Sequence, residues 1–191
     1  MKYTGINHLA LATGDIVKTV KFWRDLLGMR LVAALGKPGY RQYFFDVSAD
    51  DMIAFFEWPG GEPLVEKDAG RVAKGPLAFD HVAIGVDDDD ALWELKDKLE
   101  ANDIWVSEVI DNGFIHSIFT FDPNGISLEF CCSMKNIDIR RQPIMADALP
   151  PDVTEEGPEA QPGKWKSAEL TTPVSERKIY RGEQKKYVEE L

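Results

Sequence analysis

Apolar and polar positions alternate with a period of two over residues 3–12, where Ile6, His8 and Ala10 fall on one side and Leu9 and Leu11 on the other. That period predicts a strand. The period then lengthens to that of a helix over 16–27, where Ile16, Val17, Val20, Trp23, Leu26 and Leu27 recur, with Asp15 placed as N-cap and Gly28 placed to stop it. Strands are predicted at 29–35, 40–46 and 51–57, with Lys37-Pro38-Gly39 turning between the first two and Pro59-Gly60-Gly61 closing a β-α-β-β-β unit.

The order then repeats. A strand is predicted at 79–86, an acidic cap at Asp87 to Asp90, a helix to about Asn102 carrying Leu92, Trp93, Leu95 and Leu99, and strands near 103–109, 114–121 and 125–132. The acidic run lacks the spaced ligands and closing glutamate of a calcium loop, and negative charge at a helix N-terminus is favourable by itself. His8 and His81 hold matching places in the two copies. Glu57 lies 49 residues after His8 and Glu129 lies 48 after His81, so the closing strands can be aligned glutamate to glutamate. Repeated units of this kind pack beside each other to bury a face that neither covers alone. In both first strands the large aliphatics lie on the face a helix would cover. The histidines sit beside alanines on the other, which has room for a ligand.

Composition narrows the function. The net charge of −11 argues against a nucleic-acid surface, which needs clustered Lys and Arg. No stretch approaches the roughly 18 apolar residues of a membrane span, and the N-terminus lacks a basic-then-apolar signal, so a cytoplasmic location is expected. Cys131 and Cys132 are neighbours on a strand and point to opposite faces, so they are expected as two free cysteines. From residue 136 the chain changes character: six of its 11 prolines fall there. The expected domains are 1–135, with a first module at about 3–58, a linker 59–78 and a second module at about 79–133, and a Pro-rich extension 136–191. Trp165, Ile179, Tyr180 and Tyr187 give that extension apolar surface with which to wrap the body or a partner subunit, and Ser175 to Leu191 could form a short helix.

Side by side, the two units bring His8, Glu57, His81 and Glu129 toward one cavity. Two imidazoles and two carboxylates suit one divalent metal ion (Ni, Co, Zn, Mn or Fe) and leave positions for water or substrate. Aligning strand 40–46 with 116–122 pairs Tyr43 with Phe119 and Arg41 with Ser117, which directs Arg41 and Tyr43 into the cavity as substrate contacts, with Arg41 able to hold a carboxylate or phosphate. Phe119 and Ser127 face the same space. Alternation from Phe119 puts the third histidine, His116, on the opposite face.

With its two His-bearing strands and Asp122-Pro123-Asn124-Gly125 followed by Glu129, the sequence resembles the vicinal oxygen chelate superfamily over residues 3 to about 133. That superfamily includes glyoxalase I, bleomycin resistance proteins and extradiol dioxygenases. The resemblance implies an α+β fold in which two paired βαβββ modules form a curved, half-open mixed β-barrel around a metal cavity, with helices outside. It also implies a homodimer and a small-molecule substrate bound to the metal through neighbouring oxygens. Read with four ligands, the site looks like that of an isomerase or epimerase moving a proton next to a carbonyl, with Glu57 and Glu129 as both ligands and catalytic bases. Read with His8, His81 and Glu129 alone, it looks like an Fe(II) extradiol dioxygenase, although Phe119 stands where those enzymes carry an acid-base tyrosine. A non-catalytic binding protein is the third reading.

Overall fold

The structure is a computed structural model, and it describes residues 6–67, 69–70, 80–149, 151–161, 163, 168–182 and 185–189. Residues 3–5 and 79 of the expected strands, part of the linker, and Trp165 lie outside them. The chain divides into two compact units, residues 1–135 and 136–191.

The first unit holds two four-stranded mixed sheets, one per module. The first contains β1 (His8–Thr13), β2 (Leu31–Lys37), β3 (Tyr40–Asp46) and β4 (Met52–Glu57), in the order β1-β4-β3-β2. The second contains β5 (Val82–Gly85), β6 (Ile110–Asp111), β7 (Ile115–Phe121) and β8 (Ser127–Ser133), in the order β5-β8-β7-β6. In each sheet the first and last strands run parallel and the others antiparallel. The two sheets are separate hydrogen-bonded assemblies among the described residues, so no closed barrel forms there. The expected strand at 103–109 reduces to a single bridge from Val106 to Thr120 ahead of the two-residue β6.

Helix α1 (Ile16–Val20) begins as its sequence dictates, with the Asp15 carboxylate accepting from the amides of Val17 and Lys18. It runs directly into a π-helical stretch, Lys21–Leu26, where the Leu27 amide reaches back to the Phe22 carbonyl. The wider turn places Phe22 and Trp23, adjacent in sequence, both in the core. Gly28 then takes a left-handed φ of 79°, ending the helix as a glycine can. Helix α2 (Asp89–Glu100) is capped by Asp88, which accepts from the Ala91 amide, and its Leu92 and Leu99 are fully buried. Both helices cover the core face of their sheets, where Phe45, Ile53, Phe55, Ile84, Ile118, Leu128 and Phe130 meet.

A buried polar chain ties the modules together. Trp23 Nε1 donates to Asp122 Oδ2 at 3.3 Å, and Asn124 Nδ2 donates both to that oxygen at 2.8 Å and to Thr19 Oγ1 at 3.3 Å. The Asp122 to Gly125 turn of the second module thereby seats on α1 of the first. The linker joins at the same place, with the Leu64 amide donating to the Asn124 carbonyl at 2.7 Å.

In the second unit, α3 (Asp152–Glu155), a 3-10 turn (Val174–Glu176) and α4 (Lys185–Glu189) are short. Of the helix expected over Ser175 to Leu191, the described residues form that 3-10 turn and α4, with residues 177–182 outside any helix. No helix among the described residues is long and apolar enough to cross a membrane.

Candidate metal centre

His81 and Glu129 come together. The second sheet pairs Ala83 with Glu129, two residues beyond His81, so the two side chains share a face. His81 Nε2 lies 2.9 Å from Glu129 Oε2, and Ser117 Oγ donates to the other carboxylate oxygen at 2.5 Å. Glu129 is buried at 5% exposure. Behind His81, its Nδ1 donates to Asp80 Oδ1 at 2.7 Å. Asp80 also accepts from Lys67 Nζ and the Gly70 amide, both at 2.8 Å. These donors, Lys67 foremost, hold its carboxyl well below the usual carboxylate range.

This arrangement fits a cation. An ionised Asp80 fixes the His81 tautomer that carries its proton on Nδ1, so Nε2 presents a lone pair to the lone pairs of Glu129. Two such atoms at 2.9 Å need a positive charge between them, a proton or a metal ion. An imidazole oriented by a carboxylate behind it, facing a second carboxylate, is a common form of half a divalent-metal site.

Glu57 does not join this face. β1 and β4 pair with His8 beside Met52 and Thr13 beside Glu57, which puts Glu57 five residues along from the histidine instead of two. An odd offset moves the side chain to the other side of the sheet. There Glu57 Oε1 accepts from the Ile16 amide, the first of α1, at 3.1 Å, and Oε2 is ion-paired with Arg41. The expectation that Glu57 is a ligand and base is thereby corrected: its carboxylate is committed to a helix N-terminus. The position matching Glu129 is Ala54, which pairs with Ala10 and Phe44.

The same shift moves the expected substrate contacts. Arg41 pairs with Glu57 and Tyr43 with Phe55, so both lie on the helix side, and Tyr43 packs against the core. Their places on the histidine face are taken by Gln42 and Phe44, and the Phe44 ring stands 5.4 Å from His8. Phe119 pairs with Glu129, its ring lying edge-on 6.2 Å from His81. With Ser127, Trp105, Ile110 and Phe121 it lines a cavity of about 210 Å³. His116 is on the helix face, as alternation requires, with Nδ1 2.6 Å from Asp89.

His8 is exposed, its Nδ1 2.9 Å from the Asn7 side chain. Within one chain it does not cluster with His81 and Glu129. Among the described residues, the three-residue ligand group found within 4.8 Å is instead Asp89, His116 and Cys132.

Comparison with known proteins settles the family. The Glyoxalase/Bleomycin resistance protein/Dioxygenase superfamily model matches residues 5–130. The chain belongs to this superfamily. Across 131 residues, 65% of this chain and 90% of the relative, it is 30% identical to a lactoylglutathione lyase of Haemophilus influenzae. It is 24% identical to an iron-dependent extradiol dioxygenase of Rhodococcus jostii over 70% of this chain and 45% of that one. Among solved structures, a lactoylglutathione lyase of Agrobacterium tumefaciens superposes with a TM-score of 0.52 at 25% identity, covering 69% of this chain and 96% of its own. In this glyoxalase-superfamily chain, then, residues 136–191 lie beyond the matched region.

Proposed function

We propose that the chain is a metal-dependent enzyme holding one divalent ion (Ni, Co, Zn, Mn or Fe) through His8, His81 and Glu129, and moving a proton at a carbon next to a carbonyl in a small oxygenated substrate. The observation that carries this reading is the contact of His81 with the buried Glu129, with Asp80 and Ser117 behind the two. An ion bound there would polarise the carbonyl and lower the cost of the oxyanion that forms. Glu129 takes up the proton, and the Ser117 hydroxyl orients it. His8 comes from a second copy of the chain, because its face, with Ala10 and Ala12, is exposed and His81 and Glu129 are out of its reach within one chain. The active form is accordingly a homodimer. Relatedness to lactoylglutathione lyases supports this chemistry.

A specific observation favours the second reading, ring cleavage by Fe(II) and O2. Two histidines and one carboxylate would leave room on an Fe(II) ion for both a bidentate catechol and O2, and the cavity beside Glu129 is lined by aromatic rings. Against it, Phe119 cannot donate or accept a proton and His116 is on the wrong face. Metal content of protein purified without added metal, followed by assays of lactoylglutathione turnover and of catechol-dependent O2 uptake, separates the two. Metal lost on Glu129→Ala together with lyase or isomerase turnover supports the first; O2 uptake with iron alone replaces it with the second.

A further inference from the structure

The two modules can be overlaid by their own strand pairings, and one position changes its chemistry completely. Leu9 pairs with Ile53 and Val82 with Leu128, so Glu57 in β4 matches Cys132 in β8. Arg41 pairs with Glu57, and His116 pairs with Cys132. Ile16 opens α1 eight residues after His8, and Asp89 opens α2 eight residues after His81. The trio Ile16, Arg41 and Glu57 of the first module therefore corresponds to Asp89, His116 and Cys132 of the second.

In the first module the position closes on itself: a fixed guanidinium neutralises the carboxylate, and a backbone amide takes its remaining oxygen. In the second, the guanidinium is replaced by an imidazole, the carboxylate by a thiol and the backbone donor by a second acid. Asp89 Oδ1 is 2.6 Å from His116 Nδ1 and 3.1 Å from Cys132 Sγ, and the three donor atoms all lie within 4.8 Å of one another. Protons now hold the cluster together. Cys132 is 2% exposed, whereas the Asp89 side chain is 56% exposed, so the group has a buried thiol floor and an open mouth. Asp111 Oδ1 stands on the far side of the imidazole, 3.8 Å from His116 Nε2, too far for a direct hydrogen bond and adding negative charge near the cluster.

We propose that Asp89, His116 and Cys132 form a second, peripheral metal site for a borderline divalent ion of the zinc class. A thiolate, an imidazole and a carboxylate are a zinc-type ligand set that leaves a fourth position for water at the mouth. One thiolate and one carboxylate neutralise a divalent ion. The site lies on the helix face of β8, three residues from Glu129 and so on the opposite side of the sheet from the catalytic centre proposed above. It needs nothing from that centre.

The test uses Co2+ as the probe on the full chain, because thiolate ligation gives a near-ultraviolet charge-transfer band that oxygen and nitrogen ligands do not. Wild-type protein is expected to develop the band with Co2+, and Zn2+ to erase it. The band should survive Glu129→Ala and Cys131→Ser, and vanish in Cys132→Ser. His116→Gln, a change at a less buried residue, should weaken Co2+ uptake at this site at least about tenfold while circular dichroism shows the fold retained. Absence of the band in wild type, its persistence in Cys132→Ser, or unchanged uptake in His116→Gln would each overturn the proposal and leave a hydrogen-bonded cluster. Loss of metal from Glu129→Ala with the band intact bears on the catalytic centre alone.

Discussion

Glu57→Ala separates a helix-capping role from a ligand role more sharply than any other single change. The substitution leaves the Ile16 amide, at the buried start of α1, without its acceptor. A buried unsatisfied donor costs about 1–3 kcal/mol. It also removes the ion pair with Arg41, whose side chain is half exposed, and such pairs contribute about 0–1 kcal/mol. The expected loss is about 1–4 kcal/mol, which for a domain of this size lowers Tm by roughly 3–4 °C for each kcal/mol. Metal content should stay at the wild-type value, because the carboxylate is on the far face from His81 and Glu129. Glu57→Gln keeps an acceptor for the Ile16 amide and should recover part of the loss. Thermal unfolding beside elemental analysis of the same preparations reads both quantities. A variant with unchanged Tm and depleted metal would refute the placement and restore a four-ligand centre.

Other expectations follow from the same geometry. Asp80→Asn removes the carboxylate that fixes the His81 tautomer, and titration of metal into apo protein should show affinity reduced about 10–100-fold. Gly125→Ala would force a Cβ to within 2.3 Å of the Leu64 carbonyl oxygen at a φ of +74°, so urea unfolding should show more than about 2 kcal/mol lost. Burial raises the Asp122 carboxyl above its ordinary range against the hydrogen bonds it accepts. Its folded value therefore exceeds the unfolded one, and its contribution is complete below the unfolded value near 3.8 and falls as pH rises through the folded one. The stability difference between wild type and Asp122→Asn should accordingly be greater at pH 4 than at pH 7 by chemical denaturation; a difference that grows with pH would contradict the sign.

The repeat, the two N-caps and the stop at Gly28 were legible because each rests on local chemistry or on alternation within one strand, while His81 shares a face with Glu129 because β5 and β8 take the register that sets Ala83 beside that glutamate. The partner of His8 was not, and the reason is register. Offsets of 49 and 48 residues between histidine and glutamate, nearly but not quite equal, suggest equivalence only if the intervening turns have matching lengths, and a parallel pair such as β1 and β4 has no hairpin to fix its register. The signal that decides the matter is parity within the last strand. Glu57 follows Ile53 and Phe55 at even steps, so it shares the face of the large core side chains, whereas Glu129 sits between Leu128 and Phe130 and faces away from them. The same parity test corrects Arg41 and Tyr43, which step evenly to the fully buried Phe45. The π-helical turn after Val20 had no such signal in spacing alone, because Val20, Trp23, Leu26 and Leu27 fit an α-helical period equally well. The two modules thus share a hydrogen-bonding frame while the residues along it differ. The frame places Ala54 opposite the role of Glu129, and Cys132 opposite the role of Glu57. In the first copy the glutamate turns to the helix face and accepts from the start of α1, whereas in the second it faces His81, so the four-ligand count taken along the sequence exceeds what one chain brings together.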